Sequence, residues 1–275
     1  MNVREALAAA VTRLAATSGT SRLDAELLMA HALGVSREAM LLGHTQSLTP
    51  AAFDALLARR LAHEPIAYII GRRDFWTIEL EVGPGVLVPR PDSETLIEAA
   101  VAHFGSRGPA TILDLGTGPG TLLLAALAEW PEGRGLGIDR SNAALVYARR
   151  NAERLGLAGR AELRLGDWGE GLDGRFDLIL CNPPYIEADA ALPADVAQWE
   201  PPEALYAGPE GLDDYRRLAP QIARLLAPGG IACVEIGAGQ DAAVTAIFEY
   251  RGFTVSSLRD LNGVNRCLIL AIDPD

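Results

Sequence analysis

Four clusters of residues in the later two-thirds of the chain have the types and spacings that chemistry requires. The first is "ILDLGTGPGTLLLAAL", which reads as a strand, a glycine loop and a helix, with Asp114, Gly116, Thr117, Gly118, Pro119 and Gly120 at the turn. Glycines there permit backbone conformations closed to other residues and leave room for a ligand against the main chain. The spacing is GxGxG rather than the GxGxxG of pyrophosphate binders, and Pro119 removes an amide donor that a phosphate would use. A less anionic ligand fits better; a tight strand-to-helix turn is the plain alternative. The second is Asp139, which ends the next strand 19 residues beyond Gly120, where a carboxylate can accept from both hydroxyls of a ribose. Its alternative is an N-cap for a helix starting near Ser141. The third, Asp167 and Trp168, ends a third strand, where carboxylate and indole suit the exocyclic amine and the face of an adenine. Together these outline an adenosine site. The fourth, "CNPPYIE", directly follows the apolar run "FDLIL". It sets Asn182, Pro183, Pro184 and Tyr185 where open α/β sheets present their ligands, although a surface turn after a strand would also read this way.

The elements that must position these clusters follow from periodicity. From residue 89 onward strand-like runs ("TILDL", "GLGID", "AELRLG", "FDLILC", "IACVEIG") alternate with helical stretches such as "NAALVYARRNAERLGL". Such alternation predicts a mainly parallel sheet covered by helices on both faces. The last pieces, "FTVSSL" and "NRCLILAI" around Asn262-Gly263, predict an antiparallel pair. The first 73 residues carry helical spacing: Val3, Leu7, Ala10, Val11 and Leu14, then Leu23, Leu27, Leu28, His31 and Leu33. A third helix is expected over "LTPAAFDALLARRLAHEP", with Thr49 as N-cap and Pro50 at its first position. Between the two regions Trp76, Ile78, Leu80 and Val82 alternate with polar residues, and "GPG" at 83 to 85 separates them from "VLV", which predicts a hairpin. The expected organisation is a helical domain over 1–73, a hairpin linker over 74–88 and an α/β domain over 89–275.

Composition narrows the possible partners. The 275 residues are 49% hydrophobic with a formal charge of −12, which argues against a protein whose main task is neutralising a nucleic-acid backbone. All 24 basic residues are arginine. Residues 1–75 hold 8 Arg against 7 acidic residues, so the negative charge lies almost wholly beyond them. The N-terminal part is therefore the better place to meet an anionic partner. No apolar run is long enough to span a bilayer and the start lacks the pattern of a signal peptide, so a cytoplasmic location and no membrane partner are expected. Cys181, Cys233 and Cys267 lie in separate apolar runs without metal-ligand spacing and read as buried thiols. No metal is expected: His31, His44, His63 and His103 all precede the glycine loop.

The glycine loop, Asp139, the Asp167-Trp168 pair and "NPPY" resemble the class I S-adenosylmethionine-dependent methyltransferases that modify a planar amino group. "EPIAYIIGRRDF", "VLVPRPDSETLIE", "FDLILCNPPYIE", "EPPEAL", "GLDDYRRL" and "EIGAGQ" narrow the resemblance to the PrmC/HemK family of release-factor glutamine methyltransferases. Ser93 stands where that family's pattern has threonine, and Pro119 occupies a variable position in the loop. The resemblance implies a Rossmann-like fold with a seven-stranded sheet, and S-adenosyl-L-methionine as cofactor, released as S-adenosyl-L-homocysteine. It also implies that the N-terminal helices recognise the substrate, the glutamine of the Gly-Gly-Gln loop of class I peptide chain release factors. An amide nitrogen is a poor nucleophile because its lone pair is shared with the carbonyl; full loss of that resonance costs about 18–20 kcal/mol. The expectation is that the Asn182 side-chain oxygen and the Pro183 carbonyl accept the two N–H bonds of the amide, while Tyr185 stacks on its plane. Positioning of this kind supplies up to roughly 7–11 kcal/mol.

Further residues have two readings each. Arg90 and Glu94 either begin a helix or line the active site, and Leu87 walls the glutamine pocket by resemblance alone. Glu200 and Glu235 read as structural. An adenine-N6 DNA or RNA methyltransferase would use the same Asn-Pro-Pro-Tyr device, but must capture a base and hold the strand. The chain has neither a basic stripe nor an added target-recognition domain. A non-catalytic scaffold would be expected to lose Asn182 or Tyr185, and both remain.

Overall fold

The computed structural model describes residues 1–272; the last three residues of the 89–275 span lie outside it. The chain divides into two compact units, one of residues 1–72 with 192–200, the other of 73–191 with 201–272.

The first unit is helical: Val3–Leu14, Ser21–Leu33, Phe53–Leu61 and Ile66–Ile70 are its principal helices. The first is closed by a capping box, with Glu5 N–H donating to Asn2 Oδ1 at 2.9 Å and Asn2 N–H to Glu5 Oε2 at 3.0 Å. Its buried stripe is Val3, Ala6, Ala10 and Leu14. On the second helix the buried face is displaced from the expected one: Ala25, Leu28 and Met29 are buried and Leu23 is 42% exposed. Asp24 shares that buried face because Arg60 pairs with it at 2.7 Å, and a charge neutralised inside a core is invisible to a hydrophobicity pattern. Asp195 of the 192–200 segment meets the same guanidinium at 3.3 Å. Thr49 does not cap the third helix. Its hydroxyl donates to the Met1 carbonyl at 3.1 Å, Pro50–Ala52 form a turn, and the helix begins at Phe53.

In the second unit the hairpin turns earlier than the alternation predicts. Strands β1 (Arg72–Phe75) and β2 (Ile78–Glu81) pair around Trp76 and Thr77, whereas residues 83–88 form no strand. Trp76 adopts φ +54°. It is held there by side chains, since its backbone N–H donates to Glu94 Oε1 and its indole N–H to Glu129 Oε2, each at 2.9 Å. A tryptophan is not a turn residue by type, so sequence pointed to the glycines instead.

Seven strands form the main sheet: β3 (Thr111–Leu115), β4 (Arg134–Asp139), β5 (Ala161–Leu165), β6 (Phe176–Cys181), β7 (Leu226–Glu235), β8 (Thr254–Arg259) and β9 (Asn265–Ala271). Their order is β5-β4-β3-β6-β7-β9-β8; β9 runs antiparallel to both β7 and β8, and the other pairs are parallel. The β8–β9 turn is the expected one, with Gly263 at φ +79° and Asp260 Oδ1 accepting from the Asn262 and Val264 N–H groups. Leu113, Ile179 and Val234 pack with Tyr215, Leu218, Ile222 and Phe248 of the helices Asp213–Leu225 and Asp241–Glu249. All three cysteines are buried free thiols. Leu115 is in register with both Ile138 and Cys181, and Cys181 with Val234. That alignment brings the ends of β3, β4, β6 and β7 to one edge, and with them the glycine loop, Asp139, Asn182 and Glu235. No helix of the described residues is long and apolar enough to cross a membrane.

Candidate active site at the carboxyl edge of the sheet

A cavity opens at this edge. The glycine loop forms its floor and is tied to β4, because the Gly116 and Thr117 N–H groups both donate to the Ile138 carbonyl at 2.9 Å. Gly116 sits at φ +75°, and a Cβ there would lie 2.9 Å from the Trp168 ring; Gly118, at φ +58°, aims its N–H at Asp139 Oδ2, 2.8 Å away. Only glycine satisfies both the left-handed backbone and the close indole.

Three carboxylates line the cavity with the loop. Asp114 is buried; its Oδ2 accepts from the Thr117 hydroxyl at 2.6 Å and the Leu123 N–H at 3.1 Å, while Oδ1 has no partner. Burial pushes its pKa up to about 7. Asp139 accepts from Gly118 with one oxygen and from the Ser141 N–H with the other, each at 2.8 Å, and burial raises its pKa as well. Ser141, not Asp139, caps the following helix, through its hydroxyl and the Ala144 N–H at 3.2 Å. Asp167 pairs with Arg217 at 2.6 Å. Its neighbour Trp168, at φ +52°, donates its indole N–H to Asp214 Oδ1 at 3.3 Å, a contact not foreseen from sequence.

The cavity wall contains Asp114, Gly116, Thr117, Gly118, Pro119, Asp139, Asp167, Trp168, Asn182 and Pro184, together with Leu87 and Arg90. Gly120, Pro183, Tyr185 and Glu94 are not on it. Gly120 precedes the helix Thr121–Glu129, Pro183 is buried, Tyr185 donates its hydroxyl to Glu235 Oε1 at 3.2 Å, and Glu94 serves Trp76. Pro201, Glu203 and Ala204 also line the cavity, and the Glu203 carbonyl accepts from Arg140 at 2.6 Å. Two residues read as structural or merely as a variant position are connected to the site. Asn182 Nδ2 donates to Ser93 Oγ at 3.0 Å, and the Ser93 hydroxyl donates to Glu235 Oε2. The only sequence signal for this was the hydroxyl at position 93.

The donor and acceptor set suits a ligand that carries a positive group, hydroxyls and a flat ring. Asp114 Oδ1 is buried without a hydrogen-bond partner, a costly state that a cationic donor would relieve. Asp139 retains lone pairs after its two backbone bonds.

A sheet of this order with a glycine loop and "NPPY" at its carboxyl edge defines a class I methyltransferase. A model described as a methyltransferase domain matches residues 108–252, and one described as the PrmC N-terminal domain matches residues 5–71. The release factor glutamine methyltransferase of Rhodospirillum rubrum is 47% identical over 254 residues, covering 90% of this chain and 78% of that protein. The one from Cereibacter sphaeroides is 46% identical over 273 residues, 97% of each. The chain belongs to the release factor glutamine methyltransferase family. Among solved structures, a methyltransferase from Pyrococcus furiosus has a TM-score of 0.53 at 20% identity, over 78% of this chain and 95% of that one. The ribosomal protein L11 methylase of Lactobacillus delbrueckii subsp. bulgaricus has a TM-score of 0.50 at 22% identity, over 71% and 86%. Both share the fold.

Proposed function

We propose that the protein transfers a methyl group from S-adenosyl-L-methionine to the side-chain amide nitrogen of the glutamine in the Gly-Gly-Gln motif of class I peptide chain release factors. When bound, the cofactor supplies a methyl carbon already activated by a positively charged sulfur. Asp114 and the loop Gly116–Gly120 hold its cationic amino acid portion, Asp139 its ribose, and Asp167 with Trp168 its adenine. The unpartnered Asp114 Oδ1 and the glycine cradle under Trp168 support this assignment.

Asn182 and Pro183 accept the two N–H bonds of the substrate amide, turning its lone pair towards the reacting carbon, and one of those two protons is lost to water once the nitrogen carries the methyl group. Proline suits this task because its fixed φ aims the preceding backbone and it brings no competing N–H. Tyr185 stacks on the amide plane, and Leu87, Arg90 and Glu94 belong to the glutamine pocket. The N-terminal helices over 1–73 engage the release factor, the hairpin span 74–88 links them to the methyltransferase domain 89–275, and the enzyme acts in the cytoplasm without stable nucleic-acid binding.

The observation that carries the proposal is the placing of Asn182 and Pro184 on the wall of the cavity that the glycine loop and Asp139 also line. The test is incubation with labelled S-adenosylmethionine and a release factor, its Gly-Gly-Gln glutamine variant, or DNA, followed by peptide mass spectrometry. Label on that glutamine alone is expected. Label on adenine, or label that persists in the glutamine variant, would overturn the assignment.

A further inference from the structure

Glu235 ends β7, the strand beside β6, and the Cys181–Val234 register sets it next to Asn182. It is 1% exposed, and its two side-chain oxygens have different partners: Oε2 accepts from the Ser93 hydroxyl and Oε1 from the Tyr185 hydroxyl. Ser93, itself 2% exposed, stands between this carboxylate and the Asn182 carboxamide.

A hydroxyl has a single hydrogen. Once Ser93 gives it to the ionised Glu235 carboxylate, the Ser93 oxygen can only accept from Asn182. The NH2 end of the carboxamide must then turn to Ser93, and Oδ1 is the end left for a ligand. A carboxamide turned the other way would present N–H groups to the N–H groups of a substrate amide, a donor against a donor. We propose that Ser93 and Glu235 are positioning residues for methyl transfer: Glu235 draws the serine hydrogen, and Ser93 thereby fixes Asn182 with its side-chain oxygen towards the substrate. The same carboxylate anchors Tyr185, so both polar side chains of "NPPY" are set by one buried acid. The Tyr215 hydroxyl, donating to the Glu235 backbone carbonyl at 3.0 Å, braces the end of the strand. This inference rests on the reading that Asn182 accepts an N–H of the amide.

The test uses S93A, S93T and E235M in the full chain. Turnover is measured with a release factor, cofactor Kd by calorimetry, and the Asn182 side-chain NH2 by NMR on protein labelled with 15N-asparagine, the signal being assigned by its loss in N182A. S93A is expected to lower kcat about 100-fold, the scale of a misplaced catalytic contact, with cofactor Kd unchanged. S93T should restore turnover, and the Asn182 NH2 protons should exchange with solvent faster in S93A than in wild type or S93T. E235M should lower kcat with cofactor Kd unchanged; S93A keeps the proposal testable should E235M not fold. Wild-type turnover in S93A, equal losses in S93A and S93T, or an Asn182 signal indifferent to S93A would each overturn it. The amide signal is independent of the substrate. A wild-type protein that labels no release factor, yet shows Ser93-dependent protection of Asn182, would refute the substrate assignment and leave the positioning pair standing.

Discussion

Asp139 already accepts from two backbone N–H groups at 2.8 Å each, so it is oriented before any ligand arrives. Replacing it with alanine removes an acceptor for ligand hydroxyls and also releases the Gly118 N–H that shapes the loop. Hydrogen bonds to a charged group contribute about 1.5–3 kcal/mol each, so D139A should raise the cofactor Kd at least roughly tenfold by calorimetry; unchanged binding would contradict the ribose assignment. N182A should do the opposite, abolishing turnover while keeping most cofactor affinity. Equal losses of both would mean that Asn182 chiefly builds the cofactor pocket. These two residues were legible as candidates in the sequence because Asp139 ends a recognisable strand with a carboxylate and Asn182 follows another with two prolines behind it. Ser93 and Glu235 were not. A serine opening a helix and a glutamate ending a strand each have an ordinary structural reading, and their partnership exists only once segments distant in sequence meet.

Elements hold the glycine loop through a residue that no motif announced. Asn151, on the helix Asn142–Arg154, is fully buried. Its Oδ1 accepts from the Glu81 N–H at 2.7 Å, and its Nδ2 donates to the Glu81 carbonyl at 3.0 Å and the Pro119 carbonyl at 2.9 Å. One side chain thus joins β2, this helix and the loop. N151A would strip all three backbone groups of their partner, and at about 1–3 kcal/mol for each buried group left unsatisfied a lower Tm and a weaker cofactor affinity are both expected. Thermal denaturation and calorimetry check this; a wild-type Tm would show that water replaces the tie. The parallel sheet itself was readable because alternating strand and helix periods leave few arrangements, and the β8–β9 pair because Asn-Gly is a strong turn signal. The β1–β2 turn escaped, since Trp76 is held at positive φ by Glu94 and Glu129. The second helix's buried face escaped because Asp24 is neutralised by Arg60.

For the molecule as a whole, the net charge of −12 conceals acids that burial discourages from ionising, Glu235 and Asp114 most strongly. Burial pushes Glu235, and likewise Asp114, up to about 7, against the hydrogen bonds that favour their charged forms. In the unfolded chain these groups release their protons near the ordinary carboxylate values, about 4 to 4.5. Between those values and about pH 7 the folded state therefore binds more protons than the unfolded state, and stability falls as pH rises. The contribution is complete below pH ~4 and gone above about pH 7, the reverse of a carboxylate stabilised by an ion pair. Each group changes stability by at most roughly 1.4 kcal/mol per pH unit, on the order of 3 °C in Tm per pH unit for a chain of this size. E235Q, which cannot ionise, should flatten the fall in Tm of the ligand-free protein between pH 5 and 7, and combining it with D114N should flatten it further. The difference between variant and wild type isolates these sites from the other acids. A Tm–pH slope unaltered by both substitutions would mean that neither carboxyl holds its proton in the folded protein, and that Ser93 and Tyr185 face a carboxylate charged throughout.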